Sequence, residues 1–125
     1  MPGLTLDAGA LIAFERNDRR VVALLARAIA RDYELVVPAG VVGQVWRDGS
    51  KQSRLARLLA TDELEVESLH DMRARAAGQL CGARKTSDVI DASVVLCARE
   101  HGHTVMTSDP DDLERLDPNL SLIVV

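Results

Sequence analysis

The stretch Thr86-Ser-Asp-Val-Ile-Asp-Ala-Ser-Val-Val-Leu-Cys-Ala98 constrains the fold more than any other. Past its first turn it is apolar or small on nearly every side, which predicts a helix buried over most of its surface. Asp88 and Asp91 stand inside it, three residues apart and so on one helix face. Thr86 or Ser87 is placed to cap its start. Both carboxylates then fall in the first turns, where the helix dipole favours negative charge. Asp88 taken alone reads as a capping or first-turn acid. Asp91 stands deeper, beside Ile90, Ala92 and Val94. An unpaired buried carboxylate costs roughly several kcal/mol, so Asp91 requires a cation, a proton or a hydrogen-bond donor.

The 125 residues fit one domain, spanning 1–125, with a respectable core. Phe14, Tyr33 and Trp46 are the only aromatics, so that core must be built from Leu, Val, Ile and Ala. The same scarcity leaves few stacking platforms for single-stranded bases. A net charge of −4 and a pI near 5.3 argue against a general nucleic-acid coat. They allow an enzyme that binds a polyanion locally, with acids clustered at a metal and Arg around the rim. Cys81 and Cys97 form no CxxC pair, which argues against a zinc or redox motif; Cys97 reads as a small core residue. No leader-like segment and no apolar run long enough for a bilayer is seen, so a cytoplasmic protein without membrane contact is expected.

Short β-like runs alternate with helical stretches along the chain. Strands are expected at Gly3–Leu6, Leu35–Val37, Leu64–Glu67, Thr104–Thr107 and Leu120–Val125. The third is charged and expected near an edge. Helices are expected over Ala8–Glu15, Arg19–Arg31, Ala39–Arg47, Lys51–Ala60, Asp71–Cys81, the stretch from Thr86, and Asp111–Leu116. The second should bury Val22, Leu25, Ala26 and Ile29; the fifth should bury Met72, Ala76 and Leu80 and end at Gly82. Such alternation predicts an α/β fold with a parallel-rich sheet covered on both faces.

Asp7 follows the first strand and Asp109 the fourth. In open α/β sheets, ligands collect beyond the carboxyl ends of strands, at the topological switch point. If these strands are neighbours, Asp7 and Asp109 meet there, and Asp91 can close a triangle. Three carboxylates in one pocket repel unless protonated or bridged by a cation. An all-oxygen set points to Mg2+ or Mn2+. The plainer reading makes Asp7 and Asp109 helix N-caps, a role Asp fills well.

Asp7 in Leu-Asp-Ala-Gly-Ala-Leu-Ile, Asp91 in Ser-Asp-Val-Ile-Asp-Ala-Ser-Val-Val and Asp109 in Val-Met-Thr-Ser-Asp-Pro-Asp-Asp-Leu resemble the PIN-domain family, and more closely the VapC-type toxins of bacterial toxin–antitoxin pairs. The likeness runs in order through essentially the whole chain and includes Val-Val-Pro-Ala-Gly-Val-Val-Gly-Gln-Val-Trp-Arg. It implies a three-layer α/β/α sandwich with about five strands. It also implies a Mg2+- or Mn2+-dependent endoribonuclease acting on structured cellular RNA, a cognate antitoxin, and homodimers. Asp7, Asp91 and Asp109 would be the catalytic metal ligands. One departure is Gln44, where the family usually places a Glu on the third helix; Asp48 could substitute only if that helix continues.

Supporting roles are open to Asp88 and Asp112 as outer acids and to Thr107 as a hydrogen-bond donor to an inner carboxylate. Arg47, Arg84 and Lys85 are candidates for RNA phosphates, with Arg84-Lys85 better placed because it precedes the acidic helix. His101 and His103, at the far end of that helix, read as helix-end or surface residues. The competing reading is a degenerate PIN domain that binds RNA or a partner without cutting.

Overall fold

The three inner strands are largely apolar because they are covered on both sides. Leu4, Leu6, Leu35, Val36, Val37, Val105 and Met106 are all buried. Runs of this kind are typical of parallel strands. The computed structural model describes residues 2–125. In chain order the elements are β1 (Gly3–Leu6), α1 (Ala8–Glu15), α2 (Arg19–Ala30), β2 (Glu34–Pro38), α3 (Ala39–Val45), α4 (Ser53–Leu59), β3 (Leu64–Glu67), α5 (Asp71–Arg84), α6 (Val89–His101), β4 (Thr104–Thr107), α7 (Pro110–Leu116) and β5 (Leu122–Val124).

The strands form one sheet in the order β3-β2-β1-β4-β5, and every pairing is parallel. β1 is central and pairs with both β2 and β4. The chain winds outward from β1 to β3, then crosses to the other side for β4 and β5. The switch point therefore lies between β1 and β4. Helix α6 packs on β1, β2 and β4 with α5 and α7 beside it; α1, α2 and α4 pack together across the sheet. The result is the three-layer α/β/α sandwich, with the charged strand β3 at an edge.

Several local expectations change. Helix α3 stops at Val45, and Trp46 is already extended (φ −76°, ψ 127°). The break is held by side chains: Gln52 Oε1 accepts from Arg47 N and Asp48 N at 2.8 and 2.9 Å, and Gln52 Nε2 donates to Val45 O. Asp48 is spent locally, accepting from the Ser50 amide and hydroxyl. Polar side chains here offer the backbone partners that a helix cannot match. Helix α4 is correspondingly shorter than Lys51–Ala60, and β5 shorter than Leu120–Val125.

Helix α5 runs through Gly82 to Arg84 and closes on Lys85 in the left-handed region (φ 57°), with Thr86 N donating to Cys81 O. Its buried residues are Arg73, Ala77 and Cys81, one position on from the expected stripe, and Met72 is 78% exposed. The shift follows from Arg73, whose guanidinium pairs with Glu67 and Glu100 and so enters the interior. In α2 the innermost residues are Val21, Leu25 and Ala28; Val22 and Ile29 lie on the flank and Ala26 is exposed. Helix α6 starts one residue later than a Ser87 cap, and two later than a Thr86 cap, would set, because Asp88 is its N-cap, accepting from Asp91 N at 2.9 Å. None of the described helices is long and apolar enough to cross a membrane.

Candidate functional site

Strand β1 ends in Asp7, which is only 3% exposed. Its Oδ1 accepts from Ala8 N at 2.7 Å, so the residue does cap α1. Its Oδ2 accepts from the Thr107 hydroxyl at 2.9 Å. The same hydroxyl accepts from Asp109 N at 2.9 Å. Thr107 thus fixes the chain bearing Asp109 relative to the Asp7 carboxylate. Gly9 permits the close approach, since a Cβ there would stand 2.0 Å from Ser108 Oγ and 2.8 Å from Ser108 N.

Asp109 holds the N-cap position of α7, yet its side chain makes no capping hydrogen bond, and Pro110 takes the first helical position. Asp111 and Asp112 follow in the first turn. From the other side, α6 presents Asp91 one turn inside its start. The N-terminus of α3 meets α6 through Gly40, whose Cβ would lie 3.1 Å from Ile90. Gln44 stands one turn further along α3 and is exposed.

Burial raises the Asp7 pKa from its ordinary value, opposed by the bonds from Ala8 and Thr107 and reinforced by the charges of Asp109 and Asp88. Asp91 is pushed up to about 7, first by burial and then by Asp88, Asp7 and Asp112. Asp91 thus feels the charges of Asp88, Asp7 and Asp112, and Asp7 those of Asp109 and Asp88; among the described residues none of these carboxylates has a cationic partner. The oxygens of Asp7, Asp91 and Asp109 are not drawn within 4.8 Å of one another, unlike two Glu/His/Cys groups elsewhere in the described residues. The looser spacing suits a hard cation that keeps several of its waters. All donors are carboxylate oxygens, and the charge is uncompensated, so the residues present fit Mg2+ or Mn2+.

The family model for the PIN domain matches residues 4–118. The chain belongs to the PIN-domain family. Three solved structures share its fold. The Rickettsia felis VapBC2 complex, bound to a DNA fragment from its promoter, has a chain 18% identical with a TM-score of 0.72, covering 99% of this chain and 98% of that one. FitAcB from Neisseria gonorrhoeae is 19% identical with a TM-score of 0.65, covering 96% of each chain. FitAB bound to an IR36 DNA fragment is 18% identical with a TM-score of 0.65, covering 97% of this chain and 94% of that one. Comparison with curated proteins gives no match.

Of the basic candidates, Arg84 and Lys85 sit exposed at the end of α5, the end that leads into Asp88. Arg47 folds back instead, donating to Gly43 O and Trp46 O. Asp48 cannot stand in for the family's Glu, since α3 has ended and Ser50 holds it.

This PIN domain also gathers the histidines expected at a helix end or the surface, and the core residue Cys97, with two glutamates. Glu34, His101 and His103 bring ligand atoms within 4.8 Å of one another, as do Glu67, Cys97 and His101. They gather toward the C-terminal end of α6, away from Asp91. His103 is no surface residue: its side chain is wholly enclosed. Neither group contains a CxxC pair. The usable signal was His-x-His at a helix-to-strand turn.

Proposed function

We propose that this PIN domain, a single domain over residues 1–125, is a Mg2+- or Mn2+-dependent endoribonuclease and the toxin of a toxin–antitoxin pair. The observation that carries the reading is the set of Asp7, Asp91 and Asp109, without cationic partners, around the β1/β4 switch point, with the Asp91 pKa pushed up to about 7. Likeness of fold to chains of the VapBC2 and FitAB assemblies supports the partner assignment, an antitoxin. Homodimerisation belongs to the same reading.

Asp7, Asp91 and Asp109 would hold the ion, with Asp88 and Asp112 as outer acids. When bound, the ion supplies a water of lowered pKa and neutralises charge on the scissile phosphate. Thr107 and the Ala8 amide each take one Asp7 oxygen and keep the carboxylate from turning. The N-terminal dipole of α6 favours the ionised form of Asp91 once a cation offsets its neighbours. Arg84 and Lys85 contact RNA phosphates and bring the chain across the acids, a role Arg47 could share only by giving up its bonds to Gly43 O and Trp46 O.

Purified protein free of antitoxin, incubated with total cellular RNA and Mg2+ or Mn2+, should yield discrete fragments. EDTA or Asp7→Asn should remove them. Products that persist in Asp7→Asn would refute the assignment.

Gln44 supports a second reading, a PIN domain that binds RNA or its partner without cleavage, because the side chain is exposed and uncharged. It expects RNA or antitoxin binding and no metal-dependent fragments.

A further inference from the structure

His101 and His103 each aim one ring nitrogen at the same carboxylate oxygen. His101 Nδ1 lies 3.0 Å and His103 Nε2 2.8 Å from Glu34 Oε1. The other nitrogen of each ring is already engaged. His101 Nε2 meets Glu67 Oε1 at 3.1 Å, and His103 Nδ1 meets the Thr5 hydroxyl at 3.0 Å. An ionised Glu67 can only accept, so a neutral His101 carries its proton on Nε2 and presents a lone pair from Nδ1, whereas a protonated His101 would bridge Glu67 and Glu34. With Thr5 accepting from His103 Nδ1, and its own proton directed to Cys97 Sγ 3.7 Å away, Nε2 of His103 likewise carries a lone pair. In the neutral form of both rings, two lone pairs and a carboxylate converge, a set of donors that a cation would bridge.

The geometry at His103 agrees. Its Nε2 is buried, and despite the short approach of Glu34 it has no aligned hydrogen-bond partner among the described residues. Gly3 makes room for the ring, since a Cβ there would lie 2.3 Å from Nε2.

We propose that Glu34, His101 and His103 form a Zn2+ site, with Glu67 and Thr5 orienting the two imidazoles. Two imidazoles and one carboxylate are a zinc ligand set that leaves a fourth position for water. Imidazole donors select late first-row ions over Mg2+. Outer partners of the kind Glu67 and Thr5 provide are the usual support of a metal-bound imidazole. The alternative group, Glu67 with Cys97 and His101, would take away the partner that orients His101, so the first group is favoured. Tetrahedral zinc spaces its ligands about 3.4 Å apart, so the site must open by about half an ångström. Glu34, with its side chain 46% exposed, is free to move that far. The C-terminal end of α6 also favours positive charge. The site lies about 15 Å along α6 from Asp91, at ten residues of 1.5 Å each. It would tie the start of β2 to the α6–β4 turn, and it does not depend on the nuclease reading.

Metal-stripped full-length protein is titrated with Zn2+ by calorimetry and with Co2+ by its visible absorption. One ion per chain is expected outside the acid cluster, with a rise in melting temperature. His101→Gln and Glu34→Gln remove direct ligands and should each weaken Zn2+ binding by at least about 100-fold, the upper end of what loss of an outer partner costs, while Asp91→Asn leaves it unchanged. Circular dichroism checks folding, and the exposed Glu34→Gln decides the matter if His101→Gln fails to fold. Absence of Zn2+ uptake by the wild type overturns the proposal and makes His101 an imidazolium bridging Glu34 and Glu67. Uptake that survives Glu34→Gln undiminished, or that is lost in Asp91→Asn, overturns it as well.

Discussion

The Thr107 hydroxyl donates to Asp7 Oδ2 at 2.9 Å, so the last residue of β4 holds the acid that ends β1. Because the same oxygen accepts from Asp109 N, one side chain sets two acids. Thr107→Val keeps the shape and removes both bonds. The expected cost is about 1–3 kcal/mol of stability, with Mn2+ affinity lowered by at least ~10-fold. Urea unfolding and Mn2+ titration measure the two effects, and an unchanged Mn2+ affinity would count against Thr107 as a support of the site.

Asp91 makes the metal-free protein sensitive to pH. Its folded pKa of about 7 stands above the ordinary 3.8, so the folded state binds the extra proton between those values. Stability from this group is therefore full below about pH 4 and falls as pH rises to 7, then levels off. Asp91→Asn should flatten that slope and stabilise the metal-free protein at pH 8 by roughly 2 kcal/mol, allowing for solvent screening. Unfolding midpoints from pH 4 to 8 in EDTA provide the check. Saturating Mg2+ should close much of the gap between the two proteins at pH 8.

Gln44→Glu adds a charge on the helix that Gly40 brings against Ile90. Tighter Mn2+ binding by ~10-fold and faster RNA cleavage are expected. Equal affinity in both proteins would mean that position 44 does not reach the ion, and the weakness of any observed activity would need another cause.

Arg73 is 8% exposed and pairs with Glu67 and Glu100. Arg73→Ala should destabilise the fold by roughly 3 kcal/mol, since it removes packing and leaves Glu67 without its cation. Arg73→Met, which restores the buried stem, should cost less. Denaturant titration of the pair separates packing from charge; equal losses would show that the ion pair dominates.

Asp7 and Asp109 were legible as strand-end acids because each follows a short apolar run, and Asp88 was legible as a cap from its place before Val89. The α5 stripe was misplaced by one residue because a pattern of apolar side chains cannot register a buried, paired arginine such as Arg73. The end of α3 was misplaced because Gln52, seven residues beyond Val45, supplies the hydrogen bonds that stop it. The His101–His103 cluster was missed because its third member, Glu34, is remote in sequence and arrives only through the packing of α6 over β2.

The sequence by itself determined the alternation of strands and helices, the burial of α6 and the presence of acids at strand ends. These follow from side-chain periodicity and from local capping chemistry, which act over a few residues. Only the tertiary structure decided that β1 lies between β2 and β4, that Thr107 reaches Asp7, and that Glu34 meets two histidines. Those contacts join residues 67 to 100 positions apart, and no local preference encodes them. They depend on the order in which parallel strands assemble and on where small residues such as Gly9 and Gly3 let the backbone close.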